Sequence, residues 1–532
     1  MMAHPIRVYN TLTRTKEPFE PLVDDHVRIY ACGVTPYAEA HIGHARPTLI
    51  WSVVRKFLRA RGYRVTLVQN FTDVDDKIID RARAEGEDPL RLAARFSDEY
   101  LTSMRRLGVE DADHYPRVSE HIPDIIKMIE TLVEKGFAYA VDGDVFFDVT
   151  RFPDYGRLSG QRLDELMAGT RFEADERKRN PMDFALWKAA KPGEPAWESP
   201  WGQGRPGWHI ECSAMSLKYL GNHIDFHGGG LDLVFPHHEN EIAQSEAYTG
   251  QPPFVRYWVH NGLVNMEAEK MSKSLGNVVS IDALLERYPA SLLRFFLLST
   301  HYRSPLEFSD EALEDARRGW RRLTDAVEEL RRFMDEHGIA RWANAGARGS
   351  AAGGAAPGEP PASVLAPVDL DALAPALDAE GRQYADAVAA APTRFDEAMA
   401  DDFNTARALA VLFELARATN GYRQHLRRRG DGVGGEEATL LAAAEGVFSR
   451  LGGHMLGVVA DEGEADGPAP GRGDDHGRLT DSLIELLLEI RQEARAAKNW
   501  AVADRIRARL QELGIVIEDT AEGSRWKMAE DA

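Results

Sequence analysis

The stretch from Val27 to Val68 leaves the chain little freedom of architecture. Val27-Arg28-Ile29-Tyr30-Ala31 is a short run of strand character, and a loop bearing Gly33 and Pro36 follows it. An amphipathic segment from about Thr48 to Arg61 then ends at Gly62, a residue suited to stopping a helix, and Val65 to Val68 makes a second apolar run. Strand, helix and strand at this spacing predict a βαβ unit with its two strands parallel. Ligand loops in such sheets lie beyond the carboxyl ends of the strands. The segment from Cys32 to His44 falls there, so chemistry is expected in it.

Residues from about 120 to 200 read as an insertion into that sheet. They begin with a helical pattern from Ile122 to Lys135 and continue with the strand-like Val145-Phe146-Phe147-Asp148-Val149 and a charged stretch through Arg179. Parallel-sheet character resumes near Ile224 and again at Tyr257-Trp258-Val259. From about Asp310 the pattern is helical. Segments 341–366 and 460–475 are loaded with Gly, Ala, Pro and acidic residues, the composition of linkers or long loops. A compact tail from about Arg478 to Met528 holds a helical pair interrupted near Asn499 and a short strand at Gly514-Ile515-Val516-Ile517.

A chain of 532 residues that is 44% hydrophobic can fill several cores, so three or four domains are expected. No run of apolar residues is long enough to cross a membrane, and Met1 to Asn10 lack a basic-then-apolar export pattern, so a cytoplasmic protein is expected. The formal net charge of −21 opposes nucleic-acid binding over the surface as a whole, yet leaves room for a local basic stripe. Only two cysteines occur, Cys32 and Cys212. With no export signal a disulfide between them is not expected.

Three constellations carry chemistry. In His41-Ile42-Gly43-His44, two imidazoles stand at the mouth of a predicted helix, where free N–H groups and the helix dipole favour phosphate, and Gly43 permits close approach of a nucleotide. Alone, the tetrapeptide fits two capping histidines equally well. In Lys270-Met271-Ser272-Lys273-Ser274, two lysines interleaved with hydroxyls suit a polyphosphate clamp, and alone they fit a solvated basic turn. The third constellation is Cys32, Cys212 and the segment Pro236-His237-His238-Glu239-Asn240-Glu241. If that segment is helical, His237 and Glu241 share a face, and two thiolates, one imidazole and one carboxylate make a zinc set. His238 or Glu239 can replace a nominated ligand, and the two cysteines can equally be buried hydrophobes.

The first two motifs, in that order, match the HIGH and KMSKS signatures of class I aminoacyl-tRNA synthetases. From about Val27 to Ser309 the chain resembles the cysteinyl-tRNA synthetase family. The likeness rests on Tyr30-Ala31-Cys32-Gly33, His41-Ile42-Gly43-His44-Ala45-Arg46, Asn70-Phe71-Thr72-Asp73-Val74-Asp75-Asp76-Lys77, Gly202-Gln203-Gly204-Arg205-Pro206-Gly207-Trp208-His209-Ile210-Glu211-Cys212, His227-Gly228-Gly229-Gly230-Leu231-Asp232 and Phe235-Pro236-His237-His238-Glu239-Asn240-Glu241. The resemblance implies one zinc per chain on Cys32, Cys212, His237 and Glu241, with Thr72, Trp208, His227 and Asp232 near the bound cysteine. It further implies Gly33, Thr35 and Gly43 at the substrates, His41 and His44 on the phosphates of ATP, Lys270 and Lys273 on the leaving pyrophosphate, and Mg²⁺ accompanying ATP.

The implied fold class is α/β. A class I Rossmann-type catalytic core (1–120 and 201–309) is split by a connective insertion (121–200). A helical bundle meeting the tRNA stem (310–459), a linker (460–477) and a small C-terminal anticodon-binding α/β domain (478–532) follow. L-cysteine, ATP and tRNA(Cys) are the implied partners of a monomer. Arg525, Trp526 and Lys527 are the expected tRNA contacts, an aromatic between two cations suiting a splayed base; Trp526 can also plug a small core. One departure is the order Val34-Thr35-Pro36, where the family more often has Pro, Thr, Val. It resembles the ligase that joins cysteine to glucosaminyl-inositol in mycothiol synthesis, but the synthetase-like tail argues for tRNA. An inactive RNA-binding relative is a further alternative, opposed by the two intact phosphate motifs.

Overall fold

The computed structural model describes residues 4–161, 175–266, 280–341, 364–366, 368–460, 487–488, 490–491, 494–495, 499–512, 515–520 and 523–528. Lys270 and Lys273, and nearly all of the two low-complexity segments, lie outside the described residues. Two compact units are present, one of Met1–Leu285 with Ala290–Asp466, the other of Glu286–Pro289 with Gly467–Ala532.

The first unit opens with a hairpin, β1 (Arg7–Asn10) and β2 (Thr15–Pro18), and then forms the expected βαβ unit from β3 (His26–Val34), α1 (Ile42–Ala60) and β4 (Arg64–Phe71). Helix α1 starts at Ile42, six residues before the expected Thr48, and runs through Pro47. The His41 cap and the burial of Ile42 and Ala45 hold the first turns despite the hydrogen bond that a proline cannot donate. Gly62 follows the helix with φ 92°, the left-handed stop that its position suggested.

Helices α2 (Asp76–Glu85), α3 (Pro89–Arg106) and α4 (Ile122–Glu134) come next. An antiparallel sheet then runs in the order β5 (Ala138–Val141), β6 (Asp144–Phe147), β7 (Phe184–Ala189), β8 (Gly204–Pro206). The chain returns to the first sheet through α5 (Trp208–Leu220), β9 (Ile224–Gly230), α6 (Glu239–Thr249) and β10 (Val255–Asn261).

The central sheet has the order β10-β9-β3-β4, and every neighbouring pair is parallel. Chain order therefore reverses between β3 and β9: the path from β3 goes to β4 on one side, and the later strands add on the other. Such a switch point opens a crevice at the carboxyl ends, because the two connections leave toward opposite sides. Beyond it, β11 (Val264–Met266) pairs in parallel with β12 (Leu306–Phe308).

Helices α9 (Asp310–Glu336), α10 (Ala379–Ala400), α11 (Thr405–Arg429) and α12 (Gly435–Val447) complete this unit, following α7 (Ile281–Arg287) and α8 (Ala290–Leu298). Asp402, in the turn between α10 and α11, ties them to the sheet region. Fully buried, it accepts from Tyr9 N at 2.9 Å, from Tyr302 Oη at 2.7 Å and from Arg303 Nε at 2.8 Å. In the second unit, α13 (Trp500–Glu512) precedes a hairpin of β13 (Ile515–Thr520) and β14 (Gly523–Met528). The sequence reading anticipated the first of these strands and not its partner, whose Gly523-Ser524 start and flanking charges hide any alternation.

Asp402→Ala strands three donors, one of them a cation. It is expected to destabilise the first unit by about 2–4 kcal/mol, while Asp402→Asn, which keeps an acceptor, loses less; the midpoint of urea unfolding checks both.

Candidate active site

The crevice at the switch point is built from the ends of β3 and β9 and the start of α1. Gly33 lies so close to β4 that a Cβ there would meet Asn70 O at 1.6 Å, and its N–H donates to Asn70 Oδ1 at 2.9 Å. Gly228 is required in the same way: a Cβ would meet the Trp51 ring of α1 at 2.0 Å. These two approaches bring β3, β9 and α1 to one point. Thr72 is buried just past β4, its N–H on Val34 O at 3.1 Å and its hydroxyl 3.3 Å from Asn70 Nδ2.

His41 caps α1. Its Nδ1 accepts from Gly43 N at 3.1 Å, and His44 Nδ1 accepts from His41 N at 3.4 Å, with the two rings stacked 3.6 Å apart. Both Nδ1 lone pairs are thus engaged by backbone donors, which places the ring protons on Nε2, free to donate to an anion. Burial lowers the pKa of both; His44, further opposed by the charge of His41 and of Lys77, falls to about 3. Both are therefore neutral at physiological pH. Thr35 lies in the loop before α1, its carbonyl accepting from Tyr37 N at 3.0 Å.

On the other wall, Cys32 of β3, Cys212 of α5, and His237 and Glu241 around the start of α6 bring one ligand atom each to within 4.8 Å of one another. The sulfurs are 3.9 Å apart, Cys32 Sγ is 3.7 Å from Glu241 Oε1, and His237 Nε2 is 3.1 Å from that oxygen. Tetrahedral bonds of about 2.3 Å to sulfur and 2.1 Å to nitrogen or oxygen require edges of about 3.8, 3.6 and 3.4 Å, so the residues fit a zinc ion. His237 and Glu241 share a helical side as expected, although a wide π-type turn over Val234–His238 precedes α6.

The electrostatics agree with a cation-binding cluster. The hydrogen bond from Cys32 lowers the pKa of Cys212 to about 6 against its burial, while burial pushes Cys32 up. Burial opposes ionisation of Glu241, but the charges and hydrogen bonds of His227 and His237 hold its pKa at about 2.

His227, expected near the amino acid, is buried with Nε2 2.8 Å from Glu241 Oε2, so it orients the carboxylate. Trp208 is 42% exposed and its ring lies 4.4 Å from that of His237, at the rim. Asp232 is exposed in the turn after β9. His238, an open alternative in the sequence, does join the cluster: its Nε2 is 3.3 Å from Cys32 Sγ, and Cys32, His227, His238 and Glu241 form a second set within 4.8 Å. Glu239 is turned away, its Oε2 accepting from Leu158 N at 3.1 Å and Ser159 N at 2.8 Å.

Sequence reasoning passed over His209, whose Nδ1 lies 2.9 Å from His237 Nδ1, and Gln244, which holds His209 O at 2.8 Å. It also passed over His260, 2.8 Å from His238. The spacing of His209 and Cys212 on one helical side was the available signal for the first. Arg525, Trp526 and Lys527 lie on β14, opposite Glu518, Ile517 and Val516 of β13.

Residues 18–318 match the model of the class I (C) tRNA synthetase catalytic domain, 394–460 the DALR domain, and 481–526 the cysteinyl-tRNA ligase anticodon binding domain. A cysteine–tRNA ligase of Pelotomaculum thermopropionicum is 50% identical over 98% of this chain and 99% of its own. That of Heliobacterium modesticaldum is 49% identical over 98% and 100%. The chain belongs to the cysteinyl-tRNA synthetase family. Among solved structures, methionyl-tRNA synthetase of Mycobacterium tuberculosis bound by methionyl-adenylate aligns with a TM-score of 0.55 at 16% identity, over 81% of this chain and 89% of that one. The fold is thus that of the class I synthetases, with HIGH-type residues of the cysteinyl-tRNA synthetase core capping α1.

His44 stays neutral through acid pH. Its native pKa lies below the unfolded value of about 6.5, so the native state binds fewer protons between the two and loses stability as pH falls from 6.5 toward 3. Nitrogen-15 NMR of histidine-labelled protein is expected to show a neutral His44 carrying its proton on Nε2 at pH 5; an imidazolium there contradicts the tautomer assignment.

Proposed function

We propose that this chain is a cysteine–tRNA ligase that activates L-cysteine with ATP and transfers it to tRNA(Cys), selecting cysteine through one zinc ion held by Cys32, Cys212, His237 and Glu241. The observation that carries the reading is the convergence of these four ligand atoms in the crevice whose other wall is the His41 cap of α1. The family membership and the match of 481–526 to an anticodon-binding domain support tRNA as the acceptor.

The amino acid carboxylate attacks the α-phosphate of ATP and pyrophosphate leaves; the terminal ribose hydroxyl of tRNA then attacks the acyl carbon of the adenylate, forming the ester and giving up its proton as AMP leaves. No protein nucleophile is needed, and the residues contribute positioning and charge stabilisation. His41 and His44 donate from Nε2 to phosphate at the helix N-terminus. Lys270 and Lys273 neutralise the leaving pyrophosphate, with Mg²⁺ on the phosphates. Thr72, Trp208 and Asp232 border the amino acid, with Gly33 and Thr35 beside it and Gly43 giving the nucleotide room. His227 fixes the direction of Glu241, and His209 that of His237. Cys32, Cys212, His237 and Glu241 would hold the zinc ion, which when bound would supply a Lewis acid favouring the thiolate form of the substrate.

Exclusion of serine by size alone would give only about 1–3 kcal/mol, so sulfur recognition removes the need for editing. Residues 1–120 and 201–309 form the catalytic domain, 121–200 the connective insertion, 310–459 the bundle facing the tRNA stem, 460–477 a linker, and 478–532 the anticodon reader with Arg525, Trp526 and Lys527 on RNA. The enzyme acts as a cytoplasmic monomer.

Cys212→Ser is expected to raise the cysteine KM at least about 100-fold in ATP–pyrophosphate exchange, the loss of a direct bond to sulfur being worth more than about 2.7 kcal/mol; unchanged kinetics, or one zinc per chain still bound and cysteine still selected over serine, defeats the ligand set. Charging of tRNA(Cys) with labelled cysteine tests the acceptor. Transfer to glucosaminyl-inositol instead of tRNA assigns the chain to amino-sugar ligation.

A further inference from the structure

The arginine next to the HIGH-type motif is spent on backbone. Arg46, in the second turn of α1, is completely buried, and its guanidinium donates through Nη1 to Gly262 O at 3.0 Å and through Nη2 to His301 O at 3.1 Å. No carboxylate pairs with it among the described residues, and its Nε has no partner there. Burial alone pulls its pKa down to about 10. An uncompensated buried cation is an expensive way to fill space, since an apolar side chain of like volume is usually neutral or better for stability. Its forked donors, however, can hold two carbonyls from different segments in one fixed relation, which lysine cannot do.

Those carbonyls lie in the two segments that lead into β11 and β12. Gly262 is two residues before β11, and His301 is five residues before β12. The segments are zipped by Gly262 N on Tyr302 O at 2.8 Å and Leu306 N on Leu263 O at 2.9 Å. The chain leaves β11 at Met266, carries Lys270 and Lys273, and is described again at Ser280, which bridges to His41, while Ile281 N donates to Ala40 O at 2.8 Å. Both ends of the lysine-bearing segment are therefore fastened to the N-terminal turns of α1, one through Arg46 and one through the backbone of Ala40 and His41.

We propose that Arg46 is a positioning residue for adenylate formation: its fork sets the strand that delivers Lys270 and Lys273 in register with the helix that presents His41 and His44. It touches no substrate and acts through the backbone at Gly262 and His301. The proposal rests on the reading of the two lysines as pyrophosphate-side cations. It separates Arg46 from the cysteine-binding wall, which hangs on β3, α5 and α6.

The test is a double-mutant cycle in the zinc-loaded full chain, read by ATP–pyrophosphate exchange with zinc content, cysteine KM and thermal midpoint measured alongside. Arg46→Met is expected to lower kcat about 100-fold, the usual effect of a misplacement near 1 Å, with cysteine KM and zinc content unchanged, and Arg46→Lys to recover part of the loss. In a Lys273→Ala background Arg46→Met should lower kcat by less than about 3-fold, because the two residues serve one interaction. Equal losses in both backgrounds overturn the proposal, as does a kcat loss that tracks zinc loss or a rise in cysteine KM. Should Arg46→Met fail to fold, Gly262→Ala probes the same joint: its Cβ would meet Ser304 O at 2.3 Å, and the same kcat-selective loss is expected. A Lys273→Ala enzyme with undiminished exchange refutes the underlying reading of the lysines, and is told apart from a failed coupling by that single variant.

Discussion

Glu241 is completely buried between two imidazoles, and the cluster with Cys32, Cys212 and His237 is organised around it. Its Oε2 is taken by His227 at 2.8 Å and its Oε1 faces His237 at 3.1 Å and Cys32 at 3.7 Å. A carboxylate without water must be paired, or it takes up a proton instead. Because one oxygen is committed to His227 on β9, the other has a single direction left, and that direction is toward the sulfurs. The donors thus come from β3, α5, β9 and α6 yet share one geometry, and the supporting contacts of His209 and Gln244 carry the order one residue further out.

That convergence depends on how closely the sheet packs on α1. Gly33 and Gly228 admit approaches that any side chain would block, the one against Asn70 of β4, the other against Trp51 of α1. The crevice follows from the same arrangement. The parallel order β10-β9-β3-β4 reverses between β3 and β9, and both strands end at it. The N-terminus of α1 and the ligand cluster are consequently two walls of one cleft rather than two sites.

Much of this was legible in the sequence because it is local. The βαβ unit, the cap at His41 and the reach of His237 to Glu241 each depend on spacing along a short segment. The amphipathic pattern points to Thr48 as the start of α1, whereas the His41 cap and the burial of Ile42 and Ala45 carry the helix through Pro47 from Ile42. His209, Gln244 and His260 were missed for a different reason. They contact the cluster only after separate strands and helices meet, and nothing in their own neighbourhoods marks a hydrogen bond to a residue 28 or 22 positions away. His238 stayed open for a reason that persists in three dimensions: adjacent imidazoles at the mouth of α6 both reach the same pair of ligands.

The charges in the cleft also order the substrate. With the proposed divalent ion bound, two thiolates and Glu241 would outnumber its charge, so the cluster would keep one net negative charge and would repel a second carboxylate brought beside it. The start of α1 offers the Nε2–H groups of two neutral histidines at the positive end of the helix dipole, which attract anions, while the N–H groups of His41 and Gly43 are held by the two imidazoles. Under the proposed function, a cysteine held by its sulfur would point its own carboxylate away from Glu241 and toward the start of α1. The neutrality of His41 and His44 matters to that reading: as donors they would hold phosphate without a fixed cation that competes for the carboxylate. On the proposed reading, separation of the anionic cluster from the donor-bearing helix end would set the direction of attack without a catalytic base.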